Sequence, residues 1–293
     1  MIEGNTENLR IAWGRWGMEK QLAHLWREAF GDGERETALF FRNRWRPENS
    51  LVIEENGRVI SALYLLPCQM ETAGGRVQAH YIYGAATLQA FRGKGYMGAL
   101  IEAAAKAGQA RGDYASVLLP GEERLYEFYR RFGYRTVFGV EEITLTREEI
   151  LARCPQPVDS RILTGRECAA IRNQCLKGRK GSVLWDAPAV QYALWSHDMA
   201  KGKAFFVPGG YCLINCDGIV QEWMGRAPAA WQALAEAARQ TGRDSFQVRL
   251  PVGSPLLPQR GKICPWGMMR PLQPAVLAGF PADGTPYLGL TME

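Results

Sequence analysis

The order of apolar runs predicts a mixed α/β fold: a largely antiparallel sheet flanked by helices, followed by a second α/β unit. Three observations carry this. Asn56-Gly57 stands between two β-prone runs, the strongest short-range hairpin signal. A glycine-rich basic loop, Arg92 to Gly98, joins a strand of small residues to an alanine-rich helical run. A further succession of strand, hairpin, strand, helix and strand begins after residue 200, so the α/β pattern occurs twice.

The first element is a helix over 18–30, where Leu22, Leu25, Trp26 and Phe30 recur at spacings of three and four. Gly31-Asp32-Gly33 breaks it. A second helix covers 34–45, with Leu39, Phe40 and Phe41 as its apolar face, and Pro47 and Asn49 close it. Strands follow over 51–53 and 58–66, about the Asn56-Gly57 turn. The 69–77 stretch contains Gly74-Gly75, a further turn, and 77–88 is a strand carrying Tyr81, Ile82 and Tyr83. The helix after the loop spans 99–110. A short strand at 114–119, a helix at 122–131 stopped by Gly133, and a strand region at 134–145 complete the first half.

Cys154-Pro155-Gln156-Pro157 reads as a linker, which divides the chain into domains 1–150 and 151–293. In the second half, helices are expected at 165–176, 188–195 and 231–240. Strands are expected at 203–207, 211–215, 219–224 and 246–250, with Asp217-Gly218 as a hairpin turn. This echoes the first half without a glycine-basic loop between Met224 and Trp231. The tail from Pro271 ends in Tyr287, Leu288, Leu290 and Met292, apolar residues that predict a docked end.

Composition narrows the function. The chain has 293 residues, 47% hydrophobic and 22% charged, with a formal charge of +5 and scattered basic residues. That pattern does not point to nucleic acid, which would call for a clustered basic stripe. The seven cysteines are odd in number and show no Cys-x-x-Cys pair, and the three histidines lie far apart. These counts argue for a reducing compartment and against a metal site. No signal peptide and no membrane-spanning run is read, so a cytoplasmic protein is expected.

The loop bears the chemistry. A glycine-rich turn at a helix start offers free backbone N–H groups and the positive end of the helix dipole to an anion. Gly93 and Gly95 permit close approach of a pyrophosphate, and Arg92 and Lys94 add positive charge. The spacing is not that of a P-loop. Gly93, Gly95 and Gly98 fit Gly-x-Gly-x-x-Gly, but the flanking pattern is wrong for a dinucleotide fold. The glycines alone leave a plain tight turn open.

Arg92-Gly93-Lys94-Gly95-Tyr96-Met97 resembles the Gln/Arg-x-x-Gly-x-Gly/Ala signature of the GCN5-related N-acetyltransferase (GNAT) superfamily. Met97 stands at the final small-residue position, with Gly98 next. Tyr129-Arg130-Arg131-Phe132-Gly133-Tyr134 is similar to that family's Tyr-x-x-x-Gly-Phe/Tyr segment. The layout resembles the branch of the mycobacterial enhanced-intracellular-survival acetyltransferases, apparently without a complete sterol-carrier-like domain. The resemblance implies a GNAT fold followed by a degenerate, cofactor-free copy. It implies acetyl-CoA or another acyl-CoA as co-substrate, and no metal. The pyrophosphate would lie on Arg92, Gly93, Lys94, Gly95, Tyr96, Met97 and Gly98, and the pantetheine arm along the main chain of Ala86, Thr87 and Leu88.

The implied reaction is direct attack of a primary amine on the thioester in a ternary complex. The amine belongs to a small molecule or a protein lysine. Tyr129 would protonate the thiolate, main-chain N–H near 86–88 would hold the oxyanion, and the terminal carboxylate of Glu293 would act as base. Glu28, Asp32 and Glu36 could attract a cationic amine, though solvated helix charges are the commoner case. His80 could be a base but reads better as a satisfied strand histidine. Trp13, Trp16, Trp26, Trp45, Trp185 and Trp195 could line a cleft, although most read as packing residues. Since the related branch forms oligomers, a homo-oligomer is among the expected assemblies. A non-catalytic acyl-CoA-binding or sensing protein is the alternative.

Overall fold

The structure, a computed structural model, describes residues 9–258, 261–273 and 286–290. The chain forms two compact units whose membership alternates along the sequence. One contains the chain up to Cys68, Gln78–Arg135 and the stretch beginning at Met269. The other contains Gln69–Val77, Thr136–Met268 and the segment around 286–290.

The first unit opens with strand β1 (Leu9–Trp13), helices α1 (Glu19–Phe30) and α2 (Glu34–Asn43), and strands β2 (Ser50–Glu55) and β3 (Arg58–Thr72). Asn56 and Gly57 have φ of 51° and 77°. Two consecutive positive values give the hairpin the turn that matches strand twist. β4 (Gly75–Thr87), α3 (Tyr96–Arg111), β5 (Ala115–Leu118), α4 (Glu123–Arg130) and β6 (Arg135–Thr136) follow. The turn expected at Gly74-Gly75 lies at Ala73-Gly74, between β3, which runs on to Thr72, and β4, which starts at Gly75. β1 escaped the sequence reading, since five residues preceded by a polar stretch carry little pattern. Buried Leu63, Leu65, Leu100, Ile101, Ala104 and Val117 fill the space between sheet and helices.

The second unit begins with β7 (Gly139–Thr146), α5 (Arg147–Arg153), α6 (Gly165–Cys175), β8 (Val183–Leu184) and α7 (Ala187–Met199). It continues with β9 (Lys203–Val207), β10 (Gly210–Ile214), β11 (Ile219–Gly225), α8 (Ala227–Thr241), β12 (Ser245–Pro251) and β13 (Lys262–Pro265), while β14 (Met268–Pro271) returns to the first unit from Met269. Trp223, Trp231, Leu234, Phe246, Val248 and Leu250 belong to its apolar core.

Strand order interleaves distant parts of the chain. One sheet runs β1-β2-β3-β4-β5-β14-β6, and the other β13-β7-β12-β11-β10-β9. Thus β7, read as the end of the first half, lies between β13 and β12. β14, from the far end of the chain, lies between β5 and β6. A boundary at 150 would cut through α5 and separate β14 from its sheet. Strand pairing is a nonlocal choice that local sequence pattern does not encode.

Candidate active site

β4 and β5 run parallel and pair at His80↔Ser116 and Tyr81↔Val117. β5 ends at Leu118 while β4 continues to Thr87, so the far end of β4 has no β5 residue opposite it. Within that stretch Gly84 has φ of +56°. A Cβ there would lie 2.4 Å from the Trp26 ring and 2.9 Å from Tyr64. Positive φ inside a strand marks a local kink, and here only glycine fits beneath the α1 indole. The signal for Gly84 was present in the sequence as one of a run of small residues.

Main-chain groups alternate between the two edges of a strand. The Leu88 N–H donates to Ile60 O at 3.0 Å, and Ala86 O accepts from the Ser61 hydroxyl at 3.0 Å. Both therefore face β3, and the intervening Thr87 main chain faces the other edge. Of Ala86, Thr87 and Leu88, expected together as main-chain partners, only Thr87 presents its peptide to the open side of β4. Arg92 Nε donates to Thr87 O at 3.0 Å, which ties the basic loop to the strand end.

The Gln89 N–H donates to Glu28 Oε1 at 2.7 Å, so α1 anchors the entry to the loop. Gly93 and Gly95 have φ of +78° and +82°, and a Cβ at either would meet nothing within 4 Å. They are glycines for backbone conformation, beneath open space. Helix α3 begins at Tyr96, three residues earlier than the sequence suggested, with Gly95 as its N-cap and no side-chain cap. Tyr96, Met97 and Gly98 are thus its first turn, whose N–H groups have no partner within the helix. Met97 supplies the same N–H that a smaller residue would. Gly98 has a packing reason as well, since a Cβ would lie 2.7 Å from the Phe132 ring. Lys94 Nζ sits 5.1 Å from the Phe91 ring centroid.

Tyr129 lies on α4. It is 7% exposed and packs edge-on against Tyr134 at 5.7 Å between ring centroids. Burial pushes its phenol up to about 12, so it carries its proton throughout the neutral range. The Tyr134 hydroxyl and Ser116 Oγ are 2.6 Å apart.

His80 is buried, with Nδ1 2.7 Å from Asp113 Oδ2, and Arg111 Nη2 donates to the same oxygen at 2.8 Å. Burial lowers the imidazole's affinity for a proton, against the opposing pull of Asp113. A Cβ at Gly108 would lie 2.5 Å from this ring. His80 is a packed strand histidine, but not the fully satisfied one expected from sequence, because its buried Nε2 has no hydrogen-bond partner among the described residues. Asp32 accepts from Trp26 Nε1 at 2.7 Å, so it and Glu28 hold structural bonds. Trp26, Trp45 and Trp185 are core residues, while Trp13, Trp16 and Trp195 are exposed. Glu293 lies outside the described residues.

Among the described residues, no group of three or more His, Cys, Asp or Glu is arranged to hold a metal ion. Nor is any helix there long and apolar enough to cross a membrane.

The fold, in which a parallel strand pair ends ahead of a glycine loop and an uncapped helix, is that of the GNAT-superfamily acetyltransferases. Residues 17–137 match the acetyltransferase (GNAT) domain family. No curated protein matches the chain. Among solved structures, a GCN5-related N-acetyltransferase from Anabaena variabilis is similar over 90% of this chain and 73% of its own, with 19% identity and a TM-score of 0.72. A probable N-acyltransferase from Enterococcus faecalis is 19% identical, covering 92% of this chain and 73% of its own, at a TM-score of 0.68. Eis1 from Mycobacterium abscessus is 15% identical over 90% of this chain and 74% of its own, also at 0.68.

Proposed function

We propose that the chain is an acyl-CoA-dependent N-acyltransferase acting on a primary amine, with its co-substrate on the first unit. The observation that carries this is the open crossover: β4 outruns β5, Thr87 faces the gap, and the gap leads to Gly93, Gly95 and the free N–H groups of Tyr96, Met97 and Gly98. A pantetheine arm can add to the exposed edge of β4 through the Thr87 main chain. The pyrophosphate can sit on the first turn of α3, with Arg92 and Lys94 beside it. The Eis-like branch is the favoured placement, since Eis1 is among the similar folds. We read the second unit as a degenerate GNAT-like copy because its one parallel pair, β11–β12, is likewise joined through a helix.

The amine nitrogen attacks the thioester carbonyl and forms the new C–N bond. The Thr87 N–H stabilises the oxyanion. The C–S bond then breaks and the sulfur takes the Tyr129 proton. The ammonium proton passes to a base, for which the Glu293 terminal carboxylate remains the candidate. Free-thiol release from acetyl-CoA across a panel of amines tests the reading. Tyr129→Phe should lower kcat about 10²-fold while acetyl-CoA affinity stays within twofold. Deleting Met292 and Glu293 should collapse turnover with affinity largely intact, and unchanged turnover would remove Glu293 from the mechanism. The burial of Tyr129 favours a second reading, an acyl-CoA sensor without turnover. Tight acyl-CoA binding with no thiol release from any amine would establish that reading instead.

A further inference from the structure

The second unit buries a complete ion pair that the acyl-transfer chemistry does not use. Arg172 and Glu222 both have 0% exposed side chains, and Arg172 Nε lies 2.9 Å from Glu222 Oε1. Taking two charges out of water is expensive unless every remaining donor and acceptor is matched. Here the matching groups belong largely to one segment near the chain's end. Arg172 Nη2 donates to Leu288 O at 2.8 Å, and Nη1 to Val183 O at 2.7 Å. Glu222 Oε2 accepts from the Tyr287 hydroxyl at 2.7 Å and from the Leu290 N–H at 3.3 Å. Tyr211 Oη lies 3.4 Å from Glu222 Oε1.

The same segment is gripped through its backbone. The Val183 N–H donates to Tyr287 O at 2.9 Å and the Gly139 N–H to Pro286 O at 3.3 Å. The Tyr287 N–H donates to Ser182 Oγ at 3.0 Å. Tyr287 and Leu288 are themselves 0% exposed. Gly289 has φ of +59°, and a Cβ on it would strike the Tyr287 ring, so the sequence Tyr-Leu-Gly is shaped for this turn. Without the segment, Arg172 would lose the Leu288 carbonyl and Glu222 the Tyr287 hydroxyl and the Leu290 N–H.

We infer that the second unit contains a built binding site for an extended peptide segment, occupied by the chain's own residues 286–290 and latched by Arg172 and Glu222. Its ligand class is an extended peptide with a Tyr-Leu-Gly core. The tyrosine hydroxyl and a following amide satisfy the carboxylate, and a carbonyl satisfies the guanidinium.

Carboxypeptidase trimming of the full chain, followed by intact mass spectrometry, tests this. Wild-type trimming should proceed no further in than Leu290. In Glu222→Gln it should pass Tyr287 at least tenfold faster. Tyr287→Phe keeps the ring and removes one hydrogen bond, so it should give an intermediate rate even if Glu222→Gln folds poorly. Wild-type trimming through Tyr287 at the rate of both variants overturns the site. Protection that vanishes on dilution overturns the assignment to the chain's own segment. The readout is a mass, independent of acyl transfer. Turnover of the trimmed wild type separately tests Glu293.

Discussion

The two strand–loop–helix–strand crossovers show how one topology is left open or sealed. In the first, β4 leads to Gly93 and Gly95, over which a Cβ would meet nothing, and α3 starts with Tyr96, Met97 and Gly98 uncapped. In the second, β11 leads to α8 through Gly225 and Arg226, with Pro228 in the first turn removing one N–H. A Cβ at Gly210 would lie 2.6 Å from the Ala229 carbonyl carbon, and one at Gly225 2.7 Å from Gly209 O. The β9–β10 turn therefore packs directly on the start of α8. Glycines in the first crossover leave room for a ligand, and glycines in the second let the protein fill the same place. A glycine count cannot separate these uses; the space above each glycine does.

The largest expected effect comes from the polar interior of the second unit. Arg172→Met strands the Glu222 carboxylate under the surface and should cost about 3–5 kcal/mol in denaturant unfolding. Arg172→Met combined with Glu222→Leu should recover much of that loss. Gly210→Ala should cost about 1–3 kcal/mol, because the new methyl meets backbone that cannot rotate away. Acyl-CoA affinity measured by calorimetry should stay unchanged. A Gly210→Ala chain of normal stability would show that the second crossover is not sealed.

Gly93→Ala makes the opposite expectation. Its methyl enters open space, so only the left-handed backbone penalty of about 1–2 kcal/mol applies. Acyl-CoA binding should nevertheless weaken several-fold, because the loop loses its conformation where the phosphates would lie. Equal affinity in wild type and variant would break the comparison on the first-crossover side. The buried phenols add a pH dependence. Burial raises the phenols of Tyr64, Tyr129, Tyr134, Tyr211 and Tyr287 above 10. The unfolded chain therefore releases these protons first, and stability should fall as pH rises past about 10. Chemical denaturation at pH 8 and pH 11 should show it.

Much of the candidate site was legible because its requirements are local. Positive φ at Gly93 and Gly95, a helix start after a strand, and the spacing to Tyr129 are properties of short stretches. The Asn56-Gly57 hairpin was readable for the same reason. The starting point of α3 was placed late, at Ala99, because Gly98 reads as loop until Phe132 is seen against it. Glu28 reads from sequence as an amine-attracting charge or, more commonly, a solvated helix charge, and only folding reveals it on the Gln89 N–H. The partition of Ala86, Thr87 and Leu88 between two strand edges also needed the pairing with β3.

The sequence by itself determined the turns, most helices, the glycine-rich basic loop at a helix start and the apolar character of residues 287–290, since φ preference and side-chain periodicity act over a few residues. The tertiary structure decided which sheet received β7 and β14, which crossover stayed open, and that Arg172 and Glu222 would close over Tyr287. Those outcomes rest on hydrogen bonds and packing between residues far apart in the chain, and no local pattern specifies such partners.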